Sequence, residues 1–152
     1  MAIMQHTHRN SNRGLVARAS TTVNAPVAKV WDALTNPAII RQYKFGTNVV
    51  SKWKEGSAIV WKGEWQGTKY EDKGLIVKMD PQHLIKYSHF SPLAGLPDLQ
   101  ENYHVVTIEL SSHGGQTIVS LSQDNNATEQ ERQHSEKNWE TMLASLKKLL
   151  EK

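Results

Sequence analysis

The chain has no cysteine in 152 residues. That excludes a disulfide framework, a thiolate nucleophile and thiolate metal sites, and it suits a reducing compartment. No stretch approaches the ~18 consecutive apolar residues of a membrane-spanning helix. The first thirteen residues, MAIMQHTHRNSNR, are polar and lack the apolar core of a secretory signal. A soluble, cytoplasmic protein is expected. Motifs that announce chemistry are missing as well: there is no HExxH, P-loop, GxSxG or GxGxxG pattern. An excess of one charge is almost absent from the body. The formal net charge is +3, but Arg9, Arg13 and Arg18 precede the first acid, Asp32, and beyond Arg18 basic and acidic residues number fifteen each. A balanced body argues against a phosphate-backbone surface, so no nucleic-acid partner is expected.

What is present is an ordinary globular composition, 38% hydrophobic and 22% charged. A chain of this size buries ~70% of its unfolded surface and needs no metal staple. Residues 1–14 read as a flexible tail, in which His6 and His8 belong to a frayed terminus rather than a metal site, and 15–152 as a single domain. Neither a metal nor a cofactor is expected.

VARASTTV, residues 16–23, reads as a first strand. NAPVAKVWDALTNPAII then holds two helix starts, with Asn24 and Asn36 as caps and Pro26 and Pro37 early in each helix. From about 48 to 123 the apolar period becomes two, cut by turns at KEG, QG, DPQ and HGG into six strands. Ile59, Trp61, Gly63 and Trp65 share one face, with Lys62 and Glu64 on the other. GLIVKM keeps neither parity and predicts a bulge, and SPLAGLPDLQEN reads as an ordered loop. The last helix opens with a capping box, Thr128 with Glu131, and runs about 22 residues, ~33 Å. Its inner stripe changes character midway. Trp139, Met142, Leu143, Leu146, Leu149 and Leu150 are apolar, whereas the same stripe continued backward meets Asn138, Ser135 and Arg132. One strand, two short helices, six strands and one long helix make an α+β order, in which a curved antiparallel seven-stranded sheet wraps the long C-terminal helix. The apolar half of that helix would close the core, and the polar half would face a space the sheet leaves unfilled.

The segments APVAKVWDALTNP, WKGEWQGTKYEDKG, YSHFSPLAGLPDLQENYH and NNATEQERQHSEKNWETMLASLKKLLE resemble those of the activator of heat-shock-protein-90 ATPase homologue-like proteins, within the START-related, helix-grip SRPBCC superfamily. The resemblance covers about residues 15–152. It implies a deep pocket between sheet and long helix, a fold that lends itself to lipid carriage, hormone binding, aromatic cyclisation or chaperone binding in stress response.

Trp53, Trp61, Trp65, Tyr87, Phe90, Tyr103 and Trp139 serve either core packing or pocket lining. His89 and His104 flank the proline loop and are read as buried hydrogen-bonded histidines, polar ligand anchors or a general base. Glu64 points away from Trp61, and the EDK context of Asp72 has the composition of a solvated hairpin face, so no paired-carboxylate chemistry is expected. His134 and Ser135 are adjacent on a helix and cannot face each other, which leaves no hydrolytic triad and no catalytic residue to name. The leading expectation is a non-enzymatic binding domain for a hydrophobic small molecule or lipid, with Ser135, Asn138 and His104 orienting its polar end. The alternatives are a chaperone-interacting protein and a cyclase- or dehydratase-like enzyme using the same cavity. Against the chaperone role, eukaryotic co-chaperones of this kind carry a separate N-terminal domain with an Asn-Asn-Trp-His-Trp signature, and the 152 residues show no such motif, so no such domain is expected.

Overall fold

The computed structural model describes residues 13–152. His6, His8 and Arg9 of the expected tail lie outside the described residues. Arg13, within the expected tail, donates from Nε to Asp124 Oδ2 at 3.0 Å and from Nη2 to the Tyr103 carbonyl at 3.1 Å.

The strands are β1 (Leu15–Val23), β2 (Asn48–Ser51), β3 (Ala58–Trp65), β4 (Thr68–Asp80), β5 (Leu84–His89), β6 (His104–His113) and β7 (Gln116–Asn126). They form one seven-stranded antiparallel sheet in the order β1-β7-β6-β5-β4-β3-β2. Helices α1 (Val27–Thr35) and α2 (Pro37–Tyr43) follow β1, and α3 (Glu129–Leu150) closes the chain. The proline loop carries two single-turn 3-10 helices, Pro92–Ala94 and Gln100–Asn102.

Local chemistry sets most boundaries. Asn36 caps α2 as expected, its side-chain oxygen accepting from the Ala38 N–H at 3.1 Å. Asn24 does not cap α1. Pro26 holds that position in extended backbone, and the Asn24 N–H instead donates to Glu151 Oε2 at 2.7 Å, tying the end of β1 to the end of α3. Half of the expected capping box forms: Thr128 Oγ1 accepts from the Glu131 N–H at 3.1 Å, while the Glu131 carboxylate accepts from the Thr128 hydroxyl rather than from its N–H. NVVSKW is strand only to Ser51, because Trp53 adopts a left-handed φ of 56°.

The β3–β4 hairpin turns on Gln66 and Gly67, both at positive φ, as a two-residue turn with matching strand twist requires. Beyond it β4 pairs with β3 from Thr68 to Leu75 and with β5 from Ile76 to Asp80, with an irregularity between Ile76 and Lys78. The bulge expected in GLIVKM is therefore the place where the sheet curls. Inside the curl, the C-terminal half of α3 lays Met142, Leu143, Leu146 and Leu150 into a core with Val23, Val30, Ile76 and Val119. Among the described residues, no helix is long and apolar enough to cross a membrane.

Candidate functional site

The N-terminal half of α3 touches the sheet at β7 through Ser135 and Trp139, and a cavity of about 760 Å³ opens between it and strands β3, β4 and β5. Ser135, Asn138, Trp139, Thr141 and Met142 of α3 form one wall. Trp61 and Trp65 of β3, Tyr70 and Asp72 of β4, and His89 of β5 form the other. Lys44, Phe45 and Thr47 close one side where α2 hands over to β2, and Leu93 of the proline loop stands at the mouth. Phe45, Trp65 and Leu93 line it while 55–61% exposed, so the mouth is apolar. Trp61, 4% exposed, is the floor. Beneath it a void of about 40 Å³ shares Lys44, Trp61, Trp139 and Met142 with the cavity and reaches into the core.

The hairpin register decides which β4 side chains look inward. A two-residue turn at 66–67 pairs Trp65 with Thr68 and Trp61 with Asp72, and directly opposed residues share a face. Gly63 opposes Tyr70, and a Cβ there would lie 2.3 Å from the Tyr70 hydroxyl oxygen. The bare backbone thus lets the Tyr70 ring cross β3 and its hydroxyl meet Thr47 Oγ1 at 2.6 Å.

Asp72 overturns its reading as a solvated residue. Its side chain is 16% exposed and Oδ2 lies 2.9 Å from His89 Nε2. Its Oδ1 is buried and has no hydrogen-bond partner among the described residues. The His89 ring packs edge-on to Trp61 at 5.0 Å between centroids. Burial pushes the His89 pKa below its ordinary value, and the Asp72 carboxylate opposes this only in part. His89 is therefore neutral at pH 7, with Nε2–H donated to Asp72. An imidazole so held can accept a proton or orient a ligand hydroxyl.

Lys44 is a cavity residue that the sequence does not flag. It follows Tyr43 at the end of α2, and its Nζ lies 5.6 Å from the Trp61 ring centre and 5.5 Å from that of Trp139. Burial lowers its pKa to about 8, partly opposed by Asp72. Gln123 of β7 completes the polar side: its Oε1 accepts from Trp139 Nε1–H at 2.6 Å and its amide donates to Ser135 Oγ at 3.4 Å.

Of the residues singled out from sequence, Trp61, Trp65, His89, Ser135, Asn138 and Trp139 surround the cavity. Trp53 and Tyr87 line only the small void beneath it. Tyr103 is elsewhere, its ring stacked on Phe90 at 5.0 Å and its hydroxyl donating to Asp98 at 2.6 Å. His104 also lies outside. It lines an adjoining hollow with Asn126, Glu131, His134 and Ser135, the last two shared with the cavity, and its Nδ1–H donates to the Asp124 carbonyl at 2.8 Å. Among the described residues no group of three or more His, Asp or Glu is arranged to hold a metal ion.

The buried histidine has a measurable consequence. A histidine whose folded pKa lies below its unfolded value of ~6.5 destabilises the fold as pH drops through that value, since the unfolded chain then binds more protons. The urea midpoint should fall between pH 7 and 5, and His89→Gln, which keeps a donor toward Asp72 but does not titrate, should fall less. Equal slopes for the two proteins would show that His89 contributes nothing to the acid sensitivity.

A curved antiparallel sheet gripping one long helix, with a cavity left open between them, defines a helix-grip α+β protein of the SRPBCC type. The family model described as Activator of Hsp90 ATPase homolog 1-like protein matches residues 24–151, and the chain belongs to that family. The solution structure of ChR145 from Cytophaga hutchinsonii is 60% identical, with a TM-score of 0.80 over 90% of this chain and 94% of that one. The Aha1 dimer from Colwellia psychrerythraea shares the fold at 20% identity and a TM-score of 0.71, covering 90% of this chain and 96% of that one. DynU16, a protein of the dynemicin biosynthetic locus, shares it at 17% identity and a TM-score of 0.74 over 90% of this chain and 47% of that one. No curated protein matches the sequence.

Proposed function

We propose that this protein is a non-enzymatic binding domain that takes up a hydrophobic small molecule or lipid with a polar end. The observation that supports this most directly is the cavity of about 760 Å³, within the ~300–1,000 Å³ range of small-molecule sites. Its chemistry is graded as such a ligand needs. Trp61, Trp65, Trp139, Phe45, Leu93 and Met142 offer apolar area, while Lys44, the Asp72–His89 pair, Gln123 and Ser135 offer polar contacts on the inner side. The orienting role expected for His104 passes to these groups.

Uptake of N-phenyl-1-naphthylamine, a neutral apolar fluorophore, tests the reading. The folded protein should enhance and blue-shift its emission saturably. Asn138→Trp fills the cavity from an exposed helix position, so it should weaken uptake by about tenfold or more, ~1.4 kcal/mol, with little change in melting temperature. Absence of saturable uptake would contradict the proposal. Stimulation of a purified heat-shock-protein-90 ATPase without any probe uptake would instead support the activity after which the family is named.

A further inference from the structure

Among the described residues that line the cavity, Lys44 is the only lysine or arginine. Its ammonium carries three N–H donors and can accept nothing. Among the described residues no carboxylate oxygen lies within 4.0 Å of it, and its Nζ makes no hydrogen bond, yet it is not one of the sealed, unpartnered polar atoms. The ammonium is thus reachable from the cavity. The two indole faces hold it by cation–π attraction but offer its N–H groups no lone pair. Asp72, the nearest source of negative charge, has Oδ2 on His89 and Oδ1 closed to solvent. An ammonium desolvated in this way, with donors that no described side chain satisfies, is complementary to an anion brought in by the ligand itself.

We propose that the ligand of this cavity is an amphipathic monocarboxylate, its carboxylate seated on Lys44 between Trp61 and Trp139 and its apolar body laid along Met142 and Trp65 toward the mouth. The proposal rests on the binding-domain reading and adds the chemical class of the ligand. A carboxylate gives the ammonium a charge-assisted hydrogen bond and an opposite charge, which an alcohol cannot do, and the pair would form in a site of low dielectric. Lys44 acts here as a specificity determinant: it recognises the ligand's charged end and does not attract the apolar body.

The test is displacement of N-phenyl-1-naphthylamine by decanoate and by decan-1-ol, at sub-micellar concentrations of each. At pH 7, decanoate should displace the probe at a concentration about tenfold lower than decanol, and Lys44→Met should erase that difference, each ratio being read against the probe affinity of the same variant. Lys44→Arg should restore part of it. Raising the pH from 7 to 9.5 should also remove the preference, because Lys44 loses its proton around pH 8 while the ligand stays ionised. Asp72 and Tyr70 on β4, Tyr87 and His89 on β5, Tyr43 on α2 and His134 on α3 line the cavity or the void with Lys44. Burial pushes Tyr43 and Tyr87 up and His89 down, away from this window, and the pH profile of Lys44→Met subtracts the other three. Equal displacement by the acid and the alcohol would overturn the carboxylate assignment and leave the binding reading standing. Absence of both probe uptake and calorimetrically detected decanoate binding would overturn both.

Discussion

Leu146→Ala is expected to lower the free energy of unfolding by about 2–5 kcal/mol, the cost of deleting three buried carbons from packed hydrocarbon. Leu146 is 0% exposed at the centre of the core, beside Leu143 at 1% and Val23 and Val30 at 0%. The adjoining groups belong to a long helix and a seven-stranded sheet, which have little freedom to collapse into the space. Ser135→Leu, about three turns earlier on the same inner face, meets a different environment, because its side chain borders the cavity. From sequence it looks almost free of cost. The structure corrects this: Ser135 Oγ donates to Asn126 Oδ1 at 3.0 Å, and Asn126 is 2% exposed. Losing that bond costs roughly 1 kcal/mol, partly offset because Gln123 still reaches Asn126 Oδ1 at 3.4 Å. The contrast survives in the second readout, since Ser135→Leu should reduce probe uptake and Leu146→Ala should not. Urea titration of both variants with a parallel binding assay checks the pair, and equal destabilisation without loss of uptake would place packed atoms where the cavity is drawn.

Gly74→Ala is expected to be comparably severe for an unrelated reason. Gly74 stands where β4 leaves β3 for β5, and a Cβ there would sit 1.7 Å from the Ser88 carbonyl oxygen and 2.5 Å from its carbon. Both are backbone atoms held by neighbouring strands, so no rotamer change relieves the clash. Relief requires the crossing to open, which strips the Leu75 N–H from Ser88 Oγ at 2.9 Å and the Lys73–Phe90 bridge. The loss should reach or exceed the upper end of the ~1–3 kcal/mol typical of overpacking. It should extend to binding too, because Asp72 and His89 lie two residues from Gly74 and one from Ser88. A Gly74→Ala protein with native melting temperature would mean that β4 and β5 are not this close.

The elements were legible because each has a period or a cap. The switch from a period of two to one of three-and-four separates sheet from helix, Asn36–Pro37 marks the start of α2, and the parity failure in GLIVKM marks the curl. The cavity was legible as a polar stretch on an otherwise apolar helical stripe. Its chemistry was less so, because parity gives the face of a strand but not the depth along it. His104 shares the inward face of Val106 yet sits at the strand end, beyond the cavity. Tyr103 and His104 are consecutive in extended chain and could never have lined one wall together. Asp72 was within reach: counting outward from the two-residue turn pairs it with Trp61, which outweighs the charged composition around it. Lys44 carried no local signal. Its place comes from the way α2 ends against Trp61 and Trp139, residues 17 and 95 positions further on.

Native mass spectrometry of the freshly purified protein, before and after incubation with N-phenyl-1-naphthylamine, tests the central claim most directly: that the space between α3 and the sheet holds a ligand. The account predicts a one-to-one complex, with either a co-purified molecule or the added probe, that dissociates on denaturation and is lost in Asn138→Trp. A folded protein that shows only the bare chain mass under both conditions would contradict it.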